Sequence, residues 1–544
     1  MIVEVEEDLS EILMQLIRDT ENLAVVEKET YSPILKKWHP VPTAVALVTL
    51  HNCFGIVLKQ CISRITGLTN ELVRVLQTAT KLEKVLVQMV VEDAADCDDG
   101  GKGIIKEMTS YDVDTIILNL MRAWIDDRLK IGRQCVNRAK DNENWNPKSK
   151  TGPHAQSAVD LMKLAKVTVE EFFGIQVGAR DELVQVLADG LESLVQEYTS
   201  FIASCGAKQS YVPALPPLTR CNQDSVLLQL WKKAAAPCQA GMDACTVPVK
   251  AAGGGGGSGS SKQPNKPRSS TSRGTQRLYV RLNTLHYILA LLHSIDKSLS
   301  FFSRASHSPS PHRTPLGNRQ YRRRIIAPTH FDLARTAIHA AILQVSEIAA
   351  YRLIFADSAS NFYNSLYAYS VAESRIQPTL RALKQNLNLL VAVLTHRAQP
   401  GAVREVMKAC FECFLTVLLA GGPARAFTRS DYEMVVEDFG SLKRVFCSSG
   451  EGLVAEDVVE KEAAPVEAVV ALMGLPTEQL VEDFIMMASK AGMAFAGGQR
   501  MPMPPTTRKW NRSDPNKVLR VLCHRDDDVA NRFLKKTFQL PNRR

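Results

Sequence analysis

At 544 residues, 45% of them apolar and 23% charged, the chain is too long for one core and reads as three or four globular units of about 150 residues each. Its twelve cysteines are scattered through helical segments with no secretory leader ahead of them, which favours reduced cytosolic thiols over a disulfide framework. The formal charge of +9 is local: between Ala244 and Phe331 fourteen Lys and Arg face the single acid Asp296, with few interleaved aromatics, so a folded nucleic-acid-binding surface is excluded too.

The opening "MIVEVEEDLSEILMQLIRD" is acidic and has no basic n-region before an apolar core, so it is no signal peptide. A helix is expected over 1–30, broken by Pro33, Pro40 and Pro42. It begins at once, without a capping sequence, and this predicts a piece of a longer protein. Residues 43–92 continue at helical spacing, "DCDDGGKG" at 96–103 reads as a turn, and 112–140 carries Leu118, Met121, Ile125 and Leu129 on one stripe beside Ile117 and Trp124. Helices at about 154–173 and 180–203 follow, closed by Pro213, Pro216 and Pro217. The Gly/Ser-rich stretch within 237–275 holds too little apolar surface to fold. A helix over 276–300 leads to a second polar insertion, "SRASHSPSPHRTPLGNRQYRRR". Further helices are expected over 331–357, 361–396, 402–420, 430–447, 454–473, 476–490 and 516–538, the last with Asp514 and Pro515 at its start. Strand-like alternation is nearly absent, so the fold class is all-α, with long helices in antiparallel bundles.

The most apolar of these segments is "DLARTAIHAAILQVSEIAAYRLIFAD" at 332–357. Ile338, Ile342, Val345, Ala349, Leu353 and Ala356 line one face, and Asp332 is placed to cap the first free backbone N–H groups. Arg335, Glu347 and Arg352 interrupt the run, and each would cost roughly 2.5–3.5 kcal/mol near a bilayer's centre. A buried bundle helix is therefore expected, no transmembrane segment anywhere in the chain, and only peripheral contact with membranes.

Catalytic patterns are missing. There is no GxSxG, HExxH or GxxxxGK[ST]; "GGKG" at 100–103 and the Gly run at 253–257 lack the flanking strand of a phosphate loop. Cys410 and Cys413 form a CxxC inside an apolar helix, with no second pair for zinc and no helix N-terminus to stabilise a thiolate, so they read as core. His339 reads as a core or boundary histidine, and Trp124 and Trp145 as core. The expectation is a protein that is not an enzyme, with no catalytic residue, no cofactor and no metal. The basic insertions have two readings. One is a solvated linker. The other is a polybasic tether in which Arg319, Arg322, Arg323 and Arg324 meet anionic lipid at about 1 kcal/mol each. Ser308, Ser310 and Thr314 each precede a proline, and phosphate there would weaken that attraction.

Long stretches carry a resemblance: "NELVRVLQTATKLEKVLVQMVVED", "STSRGTQRLYVRLNTLHYILALLHSIDKSLS", "LKQNLNLLVAVLTHRAQP", "FGSLKRVFCSSGEGL" and "MPMPPTTRKWNRSDPNKVLRVLCHRDDDVANRFLKKTFQL". With the opening helix, they resemble plant members of the unc-thirteen family, of the proton-ATPase translocation control type, over nearly the whole chain except the two insertions. By that likeness 1–64 end an upstream helical region and 65–210 are similar to the first Munc-homology domain, the MUN part. Residues 211–275 are a Pro/Gly/Ser-rich disordered linker, 276–302 a connecting helix and 303–330 a disordered basic insertion. Residues 331–445 are similar to the second Munc-homology domain, and 446–544 to the C-terminal helical region. The resemblance covers the C-terminal half of the plant members only.

The resemblance implies an elongated rod of stacked helical bundles that tethers or primes vesicles in exocytosis by assisting SNARE assembly. It implies as partners SNARE proteins or other tethering factors and vesicles carrying the plasma-membrane proton ATPase, with peripheral anionic membrane contact and no nucleic acid. It implies a cytoplasmic protein held peripherally at the plasma membrane and at endosomal or trafficking vesicles. The physics is compatible: stacked helices rise about 1.5 Å per residue, and grooves between amphipathic helices grip partner helices. The competing reading is an α-helical scaffold subunit of a soluble complex without a membrane role.

Overall fold

Proline sets the first turn of helix after helix, at Pro33, Pro42, Pro378, Pro400 and Pro515, where its missing N–H costs nothing. In the computed structural model the described residues are 2–65, 67–95, 102–146, 152–175, 177, 181–215, 270–305, 330–448, 452–490 and 514–538. All regular elements among them are helical, joined by turns and two isolated β-bridges. The chain is all-α, as its spacing predicts. Most of the turn expected at 96–103, the Gly/Ser-rich linker and the basic insertion lie outside the described residues.

The chain divides into two units. The first takes Met1–Glu143, Gln156–Phe201 and Ile288–Ile338. It holds α1 (Ile2–Val26), α2 (Ser32–Leu35), α3 (Pro42–Ile62), α4 (Asn70–Asp93), α5 (Lys102–Ile105), α6 (Val113–Asn142) and α7 (Gln156–Gly174). It also holds nearly all of α8 (Asp181–Ala203) and parts of α9 (Ser270–Ala305) and α10 (Asp332–Arg352). Thr69 opens α4, its hydroxyl accepting from the Leu72 N–H at 3.2 Å. Leu72, Leu76, Ala79, Leu82, Leu86 and Val90 then form a buried stripe against α1 and α3.

Helices α6 and α8 run in the same direction and interlock through small residues. A Cβ on Gly132 would stand 2.4 Å from Leu194 Cδ1, and one on Gly190 would stand 2.2 Å from Leu129 Cδ1. Each glycine makes room for the other helix's leucine. Gly190→Val should therefore cost about 1–3 kcal/mol through overpacking, even though glycine is itself the poorer helix former. Urea unfolding checks this, and adding Leu129→Ala should recover part of the loss.

The start of α10 differs from expectation. Asp332 is the first helical residue, and its carboxylate accepts from the Arg335 guanidinium at 2.9 Å. The Ala334 N–H is instead taken by Glu192 Oε1 at 2.8 Å, from α8. A carboxylate from a neighbouring helix has supplied the cap.

The second unit takes Asn144–Ala155, Ile202–Tyr287 and His339–Arg544. It adds α11 (Gln377–Val393), α12 (Gln399–Ala420), α13 (Tyr432–Phe446), α14 (Glu456–Gly474), α15 (Thr477–Lys490), α16 (Pro515–His524) and α17 (Asp528–Phe538). Helix α12 is the hub: it packs on α14, α16 and the wide turn at Leu353–Asp357, and seventeen of its 22 residues are buried. That wide turn continues α10 with one extra residue per turn, which rotates the stripe so that Ala356, expected on the buried face, is exposed.

Two expected helices are interrupted. Residues 361–376 are turns, and only Gln377–Val393 of 361–396 is helical. Tyr367 and Tyr369 sit at φ 56° and 69°, and the Tyr369 N–H donates to Ala424 O at 2.8 Å, a bond from outside the segment. The helix expected over 516–538 is two helices, because Arg525 leaves α16 to bridge Phe427 and Asp527 caps α17 through the Ala530 N–H.

Two helices have the length and mean hydropathy of a membrane crossing, Pro42–Ile62 at 1.5 and Asp332–Asp357 at 1.3. The sequence reading found none and overlooked Pro42–Ile62, whose one charged side chain is Lys59. The most apolar window of Asp332–Asp357 is 61% buried within the protein and that of Pro42–Ile62 is 28% buried. In Pro42–Ile62 the buried residues Ala44, Leu47, Val48, His51, Phe54 and Leu58 recur at the spacing of a helix packed on one side.

Candidate interaction surfaces

Among the described residues, the two cysteines of the CxxC are packed away while Cys53 is exposed. The Cys410 and Cys413 thiols are fully buried in α12, and burial pushes both well up from the ordinary thiol range, so neither is a nucleophile at neutral pH. Among the described residues no three His, Cys, Asp or Glu side chains converge as metal ligands would. A cleft of about 250 Å³ lies between the end of α6 and the start of α7, lined by Cys135, Arg138, Glu143, Gln156, Ser157 and Asp160. Its Ser157 hydroxyl donates to Glu143 Oε2 at 2.5 Å and meets the Tyr198 hydroxyl at 2.6 Å. No histidine lines that cleft.

His339 is exposed, not core. Trp124 is half-buried with the Arg128 guanidinium 5.2 Å from its ring, while Trp145 is buried with Arg281 at 4.4 Å. The residues singled out for lipid contact, Arg319, Arg322, Arg323 and Arg324, and those for phosphorylation, Ser308, Ser310 and Thr314, lie outside the described residues.

Polar side chains in the second unit act as locks. Asp438, 1% exposed, accepts from Arg375 Nε at 2.8 Å, Arg375 Nη2 at 2.7 Å and the Tyr367 hydroxyl at 3.0 Å. Arg425 donates to Leu366 O at 2.8 Å, to Gly421 O at 2.5 Å and to Tyr363 O. Together they hold 358–376 in its irregular path.

A third lock ties α9 to the wide turn: the Thr275 hydroxyl donates to Asp357 Oδ2 at 2.5 Å. Burial holds the Asp357 carboxyl above its ordinary value of 3.8, opposed by that hydrogen bond and by the Arg352 charge. An acid whose folded value is raised binds its proton more tightly folded than unfolded. Its contribution is thus most favourable at low pH and falls as pH rises from the unfolded value through the folded one. Asp357→Asn keeps an acceptor for Thr275 without the charge. Its melting temperature relative to wild type should therefore move in its favour as pH rises above about 4, the unfolded carboxyl value. A difference that stays flat with pH would refute this account.

A cluster of exposed apolar side chains lies where the sequence predicted only a helix break. Tyr31, Ile34, Leu35 and Trp38 are 53%, 54%, 44% and 75% exposed, and every residue from Pro33 to Pro40 is exposed. Helical bonds run through the segment, from the Lys36 N–H to Ser32 O at 2.9 Å and from the His39 N–H to Leu35 O at 3.0 Å. Spacing of three, four and seven residues therefore gathers the four side chains on one side. On the other side Ser32 is buried and Lys36 pairs with Asp93 at 3.2 Å. The signal was present in "YSPILKKWHP" as apolar residues at i, i+3, i+4 and i+7.

Comparison with known proteins places this architecture. A family described as PATROL1-like, TPR repeats matches residues 117–544. A protein of Arabidopsis thaliana described as "Protein unc-13 homolog" is 27% identical over 534 residues, covering 97% of this chain. The chain spans 45% of that relative's length.

Proposed function

Because the chain belongs to the PATROL1-like, TPR-repeat family, we propose that it is a vesicle-trafficking factor, a helical adaptor that tethers or primes vesicles in exocytosis. The observation that carries this reading is the relation to an unc-13 homolog along 97% of the chain. The reading extends to assistance of SNARE assembly and to delivery of vesicles carrying the plasma-membrane proton ATPase, with the protein held at the cytoplasmic side of the plasma membrane and of trafficking vesicles. Adaptor work of this kind needs amphipathic helices that offer grooves and rigid faces to partner helices, and no reactive centre.

The direct test is capture of plasma-membrane SNARE proteins by this chain and by the longer Arabidopsis relative side by side. Capture by both supports the reading, and capture by neither removes it. Fractionation addresses the scaffold alternative, since a protein absent from membranes at low salt has no membrane role. For the polybasic contact, neutralising Arg322, Arg323 and Arg324 together should weaken binding to anionic vesicles, with a larger loss at low ionic strength.

A further inference from the structure

We propose that the exposed face of Tyr31, Ile34, Leu35 and Trp38 docks on an anionic lipid surface. Its shape selects the occupant. With Pro33 to Pro40 all exposed, the segment stands out from the first unit as a convex knob. A partner helix seeks a groove between helices, whereas a bilayer's headgroup region yields to a knob. Its composition points the same way. Trp38 and Tyr31 are the two side chains with an apolar body and a polar tip that favour the water–lipid boundary, and Ile34 and Leu35 supply the apolar depth between them.

Charge completes the match. Lys37 borders the apolar stripe on one edge, so a cation stands where anionic headgroups would lie. The acids of the preceding turn are Glu27 and Glu29, and Glu27 is turned back to accept from the buried Ser32 hydroxyl at 3.4 Å. Lys28 is anchored to Glu92 at 2.6 Å.

The back of the knob is fixed in advance. Ser32 is buried, Lys36 is paired with Asp93, and the His39 Nδ1 accepts from the Val41 N–H at 3.2 Å. Little order has to be gained on contact, which favours binding by so small a face. This contact rests on the trafficking reading for its purpose, but it is separable from the arginine-rich stretch at 319–324. That attraction is electrostatic and fades with salt, while an inserted Trp and Ile persist.

The test is sedimentation of the full chain with phosphatidylserine-rich vesicles at high salt, with acyl chains brominated near the headgroup to quench inserted tryptophan. The double variant Ile34→Ser/Trp38→Ser should bind on the order of tenfold more weakly. Trp38→Phe should keep most of the binding and lose the quenching, which separates Trp38 from the other four tryptophans. At low salt, Lys37→Glu should lower affinity for phosphatidylserine vesicles more than for phosphatidylcholine ones. Unchanged binding of the double variant, or equal quenching in wild type and Trp38→Phe, overturns the proposal. So does a double variant that turns an oligomer into a monomer without vesicles, because the face is then a protein interface. SNARE capture is read on the same variants: if it survives while lipid binding is unaltered, this proposal falls and the trafficking reading stands.

Discussion

Replacing Arg375 by alanine should destabilise the second unit by about 3–5 kcal/mol, because it leaves the buried Asp438 carboxylate without its bidentate cation. The Tyr367 hydroxyl and, at 3.4 Å, the Ile376 N–H remain, and they are too few to replace a guanidinium. The second carboxylate on Arg375, Glu437, is 70% exposed, so losing that pair adds little. Hydrogen exchange is the sharper probe, since two units do not promise a single unfolding transition. The amides of 358–376 should lose protection first and most. If α13 and that segment keep wild-type protection, the ion pair does not hold them together.

Phe414→Ala should cost a similar 3–5 kcal/mol by a different route, a cavity at the centre of α12. The ring is fully buried, with Phe439 at 5.2 Å and Tyr367 at 6.1 Å in a T-shaped contact. Near-UV circular dichroism in urea should show an earlier transition, whereas Leu389→Ala, on an exposed position of α11, should move it by less than about 0.5 kcal/mol. The two losses should not add. Tyr367 touches both Phe414 and Asp438, so the double variant should fall short of the sum by at least about 0.5 kcal/mol. A strictly additive pair would mean that Tyr367 does not couple them.

Tyr367 also marks where sequence reasoning stops. Helices with one strong stripe, such as α4 and α6, are legible because each residue that decides them lies within a turn or two of the next. Residues 358–376 offer a similar pattern, with Phe362, Leu366 and Val371 buried, yet the backbone follows anchors at Ala424, Arg425 and Asp438 that no local window contains. The break at Arg525 has the same cause, a bridge to Phe427 from far along the chain. The cap on α10 passed from Asp332 to Glu192 because a folded neighbour brought a carboxylate there. Family membership was legible in the long quoted stretches. Repeat character was not, since helices from 4 to 36 residues give the eye no fixed period. The face at Tyr31 to Trp38 was legible as spacing and went unread among three nearby prolines.

The two glycine–leucine contacts between α6 and α8 carry a consequence for descent. Bulk at that crossing is shared, so Leu129 and Gly190 form one inherited quantity and Gly132 with Leu194 another. Relatives should exchange large for small within a pair while keeping its summed volume, and a lineage that enlarges one partner alone should spread the two helices apart.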